Sequence, residues 1–264
     1  MELKVMTFNL RVDVPEDGLN AWKYRAAIVP KIILNHHPCV FGIQEGLLRM
    51  IQDIENTLPE YSWIGEGRRG GNNDEYCAIF YDQQKVECID SGQFWLSDTP
   101  HIPGSISWES DFPRICTWGH FRFKHDLDKE FMLYNTHLDH VSQLARENGI
   151  ALISENLREH ALDCKVPVIL TGDLNSNSDN KVIHFLRGEE TIKEKTSKLQ
   201  DTFKALYGEP GQTFHHFSGG TEGDPIDYIF CSTNFKVLRT EVDRSRCNGT
   251  YPSDHYLIIA TLEL

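Results

Sequence analysis

Stretches of apolar residues, some alternating with polar ones, recur along the chain and predict ten β-strands. These stretches are rich in Val, Ile, Phe, Tyr and Trp, which favour extended backbone. A set of this size is typical of two sheets rather than one. The predicted strands cover residues 3–9, 39–44, 76–82, 86–96, 114–123, 130–137, 166–172, 226–231, 235–242 and 256–263.

Apolar residues at helical spacing predict four helices, at residues 21–36, 47–57, 143–163 and 180–187. In the third, Ile150, Ile153 and Leu157 recur every three or four residues and indicate a buried stripe. Pro30 is expected to kink or split the first helix. Gly, Pro and Asp predict loops at 66–75, 100–113 and 208–225. Because helices and strands interleave without a repeat or a linker, we expect one α/β domain over residues 1–264.

The composition fits a globular protein, with 40% hydrophobic and 25% charged residues in a chain of 264. The longest apolar runs, at 166–170 and 256–262, are far shorter than the about 20 residues that cross a bilayer. The amino end lacks the basic and apolar regions of a secretory signal. Seven scattered cysteines form no C-x-x-C pair. We therefore expect a cytoplasmic monomer with no membrane span.

Acidic residues outnumber basic ones, 39 to 26, which gives a formal net charge of −13. Affinity for long duplex DNA comes largely from Lys and Arg that neutralise phosphates, so weak or no duplex binding is expected. The same excess of carboxylates leaves room for a site that binds a divalent cation.

Short polar clusters are expected at the carboxyl ends of predicted strands, where open sheets offer a crevice for ligands. Taken singly, each is explained by capping or turn formation. Together they combine carboxylates and an Asn, which suit a hard cation such as Mg²⁺, with an adjacent Asp and His. This combination indicates phosphate-ester chemistry. The clusters are FN (Asn9), IQE (Glu45), NTH (His137), TGDLN (Asp173, Asn175), IDYIF (Asp227) and SDH (Asp254, His255).

The motifs IQE, TGDLN, IDYIF and SDH, in this order, resemble the endonuclease/exonuclease/phosphatase superfamily, and the resemblance extends from Met6 to Ala260. It implies a four-layer α/β sandwich, in which two mixed β-sheets pack face to face with helices on the outer faces. It also implies one active site at the rim of the sandwich and one divalent ion, Mg²⁺, for which Mn²⁺ substitutes.

The resemblance implies a role for each residue. Glu45 is similar to the principal metal ligand, with Asn9 and Asp254 near the metal or its waters. Asp173 and Asn175 match the pair that orients water and phosphate.

Two histidines have implied partners. Asp227 and His255 match a hydrogen-bonded pair beside the phosphate. His137 and Glu75 resemble a second such pair, in which the carboxylate makes the imidazole more basic. Arg114 resembles an arginine that reaches the substrate phosphate.

Three positions depart from better-known members of the superfamily. Arg11 stands where apurinic endonucleases have an acidic ligand, which favours one metal ion over two. Leu47 and Asn73 stand where pancreatic deoxyribonuclease has residues that enter the minor groove. Duplex DNA is therefore not the expected substrate.

The sequence predicts a Mg²⁺-dependent phosphodiesterase that acts on a nucleic acid or nucleotide-like substrate, with His137 as the candidate acid for the leaving group. Two alternatives remain: a phosphomonoesterase for a small sugar, polyol or lipid headgroup, and a non-catalytic binding module. The stretch GRRGG at 67–71 is interpreted as a flexible loop, because it leads into a strand rather than a helix. His140, His215 and His216 are interpreted as loop or rim residues.

Overall fold

The computed structural model describes residues 1–164, 166–208 and 210–264, which form two six-stranded mixed sheets. Sheet I has the strand order β11-β12-β1-β2-β4-β3, and sheet II has the order β5-β6-β7-β8-β10-β9. The strands are β1 (Glu2–Asn9), β2 (Val40–Gln44), β3 (Tyr61–Ile64), β4 (Ile79–Asp82), β5 (Val86–Trp95), β6 (Ile115–Phe123), β7 (Asp126–His137), β8 (Val168–Asp173), β9 (Gln200–Asp201), β10 (Asp227–Cys231), β11 (Lys236–Asp243) and β12 (Leu257–Glu263).

The helices lie outside the sheets. They are a 3₁₀ segment at Pro15–Asn20, α1 (Trp22–Arg25), α2 (Val29–His36), α3 (Leu48–Thr57), α4 (Gln143–Cys164) and α5 (Lys181–Arg187). The predicted helix 21–36 is split as expected, because Pro30 occupies the first turn of α2, where its missing N–H costs nothing. Among the described residues, no helix combines the length and apolar character needed to cross a membrane.

Alternation along each strand divides its apolar side chains between two faces. In β1, Leu3 and Val5 pack between the sheets, whereas Met6 and Phe8 pack under the helices. The inner core contains side chains from both sheets, and each outer face is covered by helices. The predicted four-layer α/β sandwich is confirmed.

The predicted strands differ from the structure mainly at the sheet edges. Strands β3 and β9 were not predicted, because β3 is a half-buried edge strand and β9 has two residues. The predicted strand 76–82 begins instead at Ile79, after a loop that belongs to the site described below.

A buried amide ties the two sheets together beneath the site. Asn135 of β7 donates to the carbonyl oxygens of Ile43 (2.8 Å) and Ala78 (3.1 Å), and it accepts from Gln44 Nε2 (2.7 Å). A Cβ on Gly42 would lie 2.3 Å from Asn135 Oδ1, so this close approach requires glycine. Asn135 therefore holds the end of β7 in sheet II in a fixed position relative to the end of β2 in sheet I.

Candidate active site

The register of three neighbouring strands in sheet II brings three polar side chains together. His137 is the partner of Asp173 across the parallel β7–β8 pair, and Asp173 is the partner of Asp227 across the antiparallel β8–β10 pair. All three residues are buried. His137 and Asp173 end their strands, whereas Asp227 begins β10 and does not lie, as predicted, at the carboxyl end of a strand, because β10 runs antiparallel to β8. The three side chains meet at the rim of the sandwich.

His255, which precedes β12, joins this group from sheet I. Its Nδ1 lies 2.8 Å from Asp227 Oδ2, and its Nε2 lies 3.8 Å from Asp173 Oδ2. Burial alone would lower the pKa of His255, but the carboxylates of Asp227, Asp173 and Asp254 outweigh it and raise the pKa to about 10. His255 is therefore a buried imidazolium at neutral pH.

Asp173 lies at the centre of the site. Its Oδ1 accepts from the backbone N–H of Asn175 (2.9 Å), and its Oδ2 accepts from Asn9 Nδ2 (3.0 Å). Asn175 adopts the left-handed conformation, with φ of 46°, and its Nδ2 donates to Leu138 O. Burial and the nearby charge of Asp227 raise the pKa of Asp173, while the hydrogen bonds from Asn175 and Asn9 oppose this increase.

Glu45 follows β2 and is held by two donors. Asn9 Nδ2 donates to Glu45 Oε1 (2.9 Å), and the backbone N–H of Val12 donates to Oε2 (2.7 Å). Glu45 itself has a φ of 60°. Asn9 thus links Glu45 to Asp173 across the two sheets.

Asp254 is buried beside this pair, with its Oδ2 3.8 Å from Arg11 Nε. Burial raises the pKa of Asp254, and the charge on Glu45 adds to the increase, while His255 and Arg11 oppose it. Two carboxylates that repel each other at the edge of one cavity are oxygen donors suited to a hard divalent cation. Glu45 and Asp254, of the predicted metal site, offer such donors, whereas the Asn9 amide donates to Glu45 and Asp173 and accepts from Arg11 N (2.9 Å).

A second grouping also has the spacing of a metal site. Ligand atoms of Asp173, Asp227 and His255, all buried, lie within 4.8 Å of one another and could hold a metal ion. The hydrogen bond between His255 and Asp227 occupies one of these atoms on each side.

Eight of the ten predicted residues line a cavity of about 460 Å³ at the rim, and Asn9 and Asp227 lie outside its lining. The volume is within the range of small-molecule sites. Glu45, Glu75, Arg114, His137, Asp173, Asn175, Asp254 and His255 line the cavity, together with Arg11, Arg68, Phe112, His140 and Phe214. A cavity of similar size lies on the outer face of sheet I, around Lys4, His37 and Arg239, and its lining includes none of the predicted site residues.

The structure pairs Glu75 differently from the prediction. Its carboxylate oxygens contact the Arg68 guanidinium, at 3.0 Å from Nη1 and 2.9 Å from Nη2, whereas His137 Nε2 lies 3.5 Å from Asp173 Oδ2. Burial and the charges of Arg114 and His255 hold the pKa of His137 well below its usual 6.5. His137 is therefore neutral, rather than made more basic by a carboxylate.

Arg68 is the main site residue that the sequence did not reveal. The interpretation of GRRGG as a flexible loop was wrong, because Arg68 is 7% exposed and its backbone bonds both Trp95 Nε1 (2.6 Å) and Glu75 (2.8 Å). The side chain of Arg69 is instead 53% exposed. Two adjacent arginines in a glycine-rich stretch give no sequence signal of which one points inward.

Arg114 precedes β6 and lines the cavity, as expected of a residue that reaches the substrate. Its Nη2 lies 3.1 Å from His140 Nδ1, and its Nε lies 3.6 Å from Asp139 Oδ2. Within the described part of the chain, this buried Nε has no hydrogen-bond partner. His140 stacks on Phe112 at the rim, with ring centroids 6.0 Å apart.

His215 does not lie at the rim. It is buried between Tyr251 and Tyr256, whose ring centroids are 4.5 and 4.0 Å away, because the loop that carries it folds inward against β12. His216 is exposed.

Comparison with known proteins identifies the family and the fold. A model of the Endonuclease/Exonuclease/phosphatase family matches residues 6–255. The chain belongs to this family. Its members are phosphoesterase hydrolases, and the chain is a phosphoesterase of this family by sequence and by fold.

Solved members of the family are similar over the whole chain. An endonuclease/exonuclease/phosphatase from Bacteroides vulgatus is 33% identical, with a TM-score of 0.90 over 100% of this chain and 99% of that chain. A mannosyl-6-phosphatase from Bacteroides thetaiotaomicron VPI-5482 is 32% identical, with a TM-score of 0.87 over 99% of this chain and 100% of that chain. The human Nocturnin catalytic domain, at 18% identity and a TM-score of 0.76 over 99% of this chain and 93% of that chain, shares the fold.

A curated relative is more distant. Protein angel of Drosophila melanogaster is 27% identical over 200 residues, which is 71% of this chain and 53% of that protein. The chain thus spans about half the length of the curated relative that it matches.

Proposed function

We propose that the protein is a Mg²⁺-dependent phosphomonoesterase that hydrolyses the phosphate ester of a small, hydroxyl-rich molecule such as a sugar. The observation that carries the proposal is that Arg114 and the cationic His255 both line a small cavity at the rim. A monoester dianion needs more positive charge than a diester monoanion. The similarity to a mannosyl-6-phosphatase over 99% of the chain supports this choice over the diesterase expected from the sequence.

Asp173 is suited to receive the proton of the attacking water. A general base works best when its pKa lies near the operating pH, and burial raises the pKa of this carboxyl. The backbone N–H of Asn175 and the amide of Asn9 hold the two carboxylate oxygens in place. The water would then lie between Asp173 and phosphorus.

His255 is suited to stabilise the negative charge that builds up on the phosphoryl oxygens. It is cationic, buried and oriented by the bond from Nδ1 to Asp227, which leaves Nε2 free to donate to substrate. Arg114 lines the cavity with a guanidinium whose Nη2 lies 3.1 Å from His140 Nδ1. His137, being neutral, contributes a hydrogen bond rather than a proton for the leaving group.

Glu45, with Asp254 and Asn9 beside it, would hold the metal ion. When bound, Mg²⁺ supplies charge neutralisation at the phosphate and the leaving oxygen. Mn²⁺ is expected to substitute, since it accepts the same oxygen ligands.

Hydrolysis of three esters tests the proposal: mannose 6-phosphate, p-nitrophenyl phosphate and bis-p-nitrophenyl phosphate, each with Mg²⁺ or Mn²⁺. We expect kcat/KM for both monoesters to exceed that for the diester, and Asp173→Asn to abolish all three activities. A preference for the diester would overturn the monoesterase proposal in favour of a phosphodiesterase.

A further inference from the structure

The Arg68–Glu75 pair is built into the cavity wall. The loop between β3 and β4 closes on itself through bonds from Arg68 N to Glu75 O and from Gly67 N to Gly71 O. The Arg68 guanidinium packs 4.6 Å from the ring of Phe112 and grips the Glu75 carboxylate with two nitrogens. A planar two-bond contact fixes the orientation of both groups.

This pair has hydrogen-bonding capacity left over. Each carboxylate oxygen of Glu75 can accept two hydrogen bonds, and Arg68 uses one on each. Arg68 Nε is within 3.1 Å of Asp74 Oδ2, so the spare capacity of the pair lies in the Glu75 carboxylate. A buried pair with spare acceptors therefore lines the cavity wall.

The pair comes from a different part of the cavity wall than the group proposed to handle the attacking water. Arg68 and Glu75 lie on the loop between β3 and β4 of sheet I, whereas Asp173 ends β8 of sheet II. Glu45, Arg68, Glu75 and His137 also share a recess next to the main cavity. Because the attacking and leaving oxygens lie roughly in line across phosphorus, the side opposite Asp173 receives the leaving group.

We propose that the Arg68–Glu75 pair is the specificity element of the site, which binds the hydroxyl groups of the leaving alcohol. Glu75 accepts hydrogen bonds from these hydroxyls, Arg68 holds Glu75 in position, and Phe112 offers an apolar face beside them. This inference rests on the proposed monoesterase function and assigns Glu75 to substrate recognition instead of to His137.

Three monoester substrates distinguish binding of the leaving alcohol from two other roles for Glu75, which are protonation of the leaving group and support of the phosphate or metal site. Mannose 6-phosphate has ring hydroxyls, cyclohexylmethyl phosphate has a similar shape and an equally poor leaving group without them, and p-nitrophenyl phosphate has a good leaving group. We expect Glu75→Gln to lower the ratio of kcat/KM for mannose 6-phosphate to that for cyclohexylmethyl phosphate by about 10- to 100-fold, mainly through KM.

Two further variants test whether the effect is specific to the contact between Arg68 and Glu75. Arg68→Lys loses the two-nitrogen contact with Glu75. It should therefore also lower the ratio of kcat/KM for mannose 6-phosphate to that for cyclohexylmethyl phosphate. Glu66→Gln makes the same substitution on the same loop, at a side chain that bonds Gly71 N (2.7 Å) and does not line the active-site cavity. It should leave the ratio and the activities unchanged. Thermal unfolding of each variant shows whether it is folded.

Two results would overturn the inference while the proposed function stands. If Glu75→Gln slows both alkyl esters equally but spares p-nitrophenyl phosphate, Glu75 serves leaving-group protonation instead. If it slows all three equally, Glu75 serves the phosphate or metal site. A wild-type protein that cleaves only bis-p-nitrophenyl phosphate overturns the proposed function, and this inference with it.

Discussion

The active site has two halves that are built differently. The carboxylate floor, formed by Asn9, Glu45, Asp173, Asp227 and His255, comes from strand ends of both sheets. The arginine wall, formed by Arg68, Phe112, Arg114 and His140, comes from the loops around them. The floor is set by strand register, whereas the wall depends on how each loop folds. The difference suggests that the floor carries the family's common chemistry and the wall selects the substrate.

The largest effect is expected at the floor, at Glu45. Glu45→Gln removes a full negative charge from the proposed metal site, and activity should fall at least ~100-fold, with weaker Mg²⁺ binding. Titration calorimetry with Mg²⁺ and steady-state kinetics measure both. Glu55→Gln, on the exposed side of α3, is the matched control and should change neither. Unchanged turnover in Glu45→Gln would remove this residue from the floor.

The two histidines of the site test whether charge state sets their roles. His255→Ala should lower kcat by about 100-fold on activated and unactivated esters alike, because a cationic donor to the phosphoryl group is lost. Asp227→Asn should act in the same direction. His137→Ala should also affect both kinds of ester equally, since a neutral imidazole does not protonate the leaving group. A loss confined to unactivated esters would restore the acid role that the sequence suggested for His137.

A smaller and more selective effect is expected at the wall. Arg114→Met should raise KM for p-nitrophenyl phosphate by roughly 10- to 100-fold and have less effect on the corresponding diester, because the diester carries one charge fewer. Arg122→Met removes an arginine from the other end of β6 and serves as the control. Equal effects on monoester and diester would show that the wall does not distinguish their charge.

The smallest effect concerns the free energy of unfolding. It distinguishes Asp173, a carboxylate of the active site, from Asp243, a carboxylate with a structural role. The pKa of Asp173 is raised, so its charge opposes folding, and Asp173→Asn should stabilise the metal-free protein at pH 8 by on the order of 1 kcal/mol. Burial would raise the pKa of Asp243 as well, but hydrogen bonds from His36 and Ser245 lower it to about 2. Its charge therefore favours folding, so Asp243→Asn should destabilise the protein at the same pH.

Urea unfolding in EDTA measures both variants. The contribution of Asp243 is present above its unfolded pKa of 3.8 and is lost as the pH falls towards about 2. The contribution of Asp173 has the opposite sign, since the folded state binds its proton more tightly and gains stability as the pH falls. Destabilisation by Asp173→Asn at pH 8 would mean that its hydrogen bonds to Asn9 and Asn175 outweigh the cost of its buried charge.

Much of the floor could be predicted because it follows from local pattern. An apolar strand of Val, Ile and Leu followed at once by Asp173 or preceded by Asp227 puts a polar side chain at the end of a buried element. The order of such motifs along the chain then resembles that of a family. The pairing of Asp227 with His255 was implied by that resemblance, and the structure places His255 Nδ1 2.8 Å from Asp227 Oδ2.

The wall could not be predicted in the same way. Arg68 and Arg69 are adjacent and chemically identical, and one is buried against Phe112 while the other lies in solvent. The family resemblance paired Glu75 with His137. In the folded loop, the Glu75 carboxylate instead contacts the Arg68 guanidinium. Contacts between loops depend on their whole path, which short-range pattern does not encode.

The sequence alone determined most of the strands of the two sheets, because strand period is a local property. Its resemblance to a family then predicted the sandwich and the residues of the carboxylate floor. Tertiary structure alone decided the charge states of His137 and His255 and the partner of Glu75. Both depend on how completely the two sheets and three loops exclude water, and on which charges are left facing one another when they do.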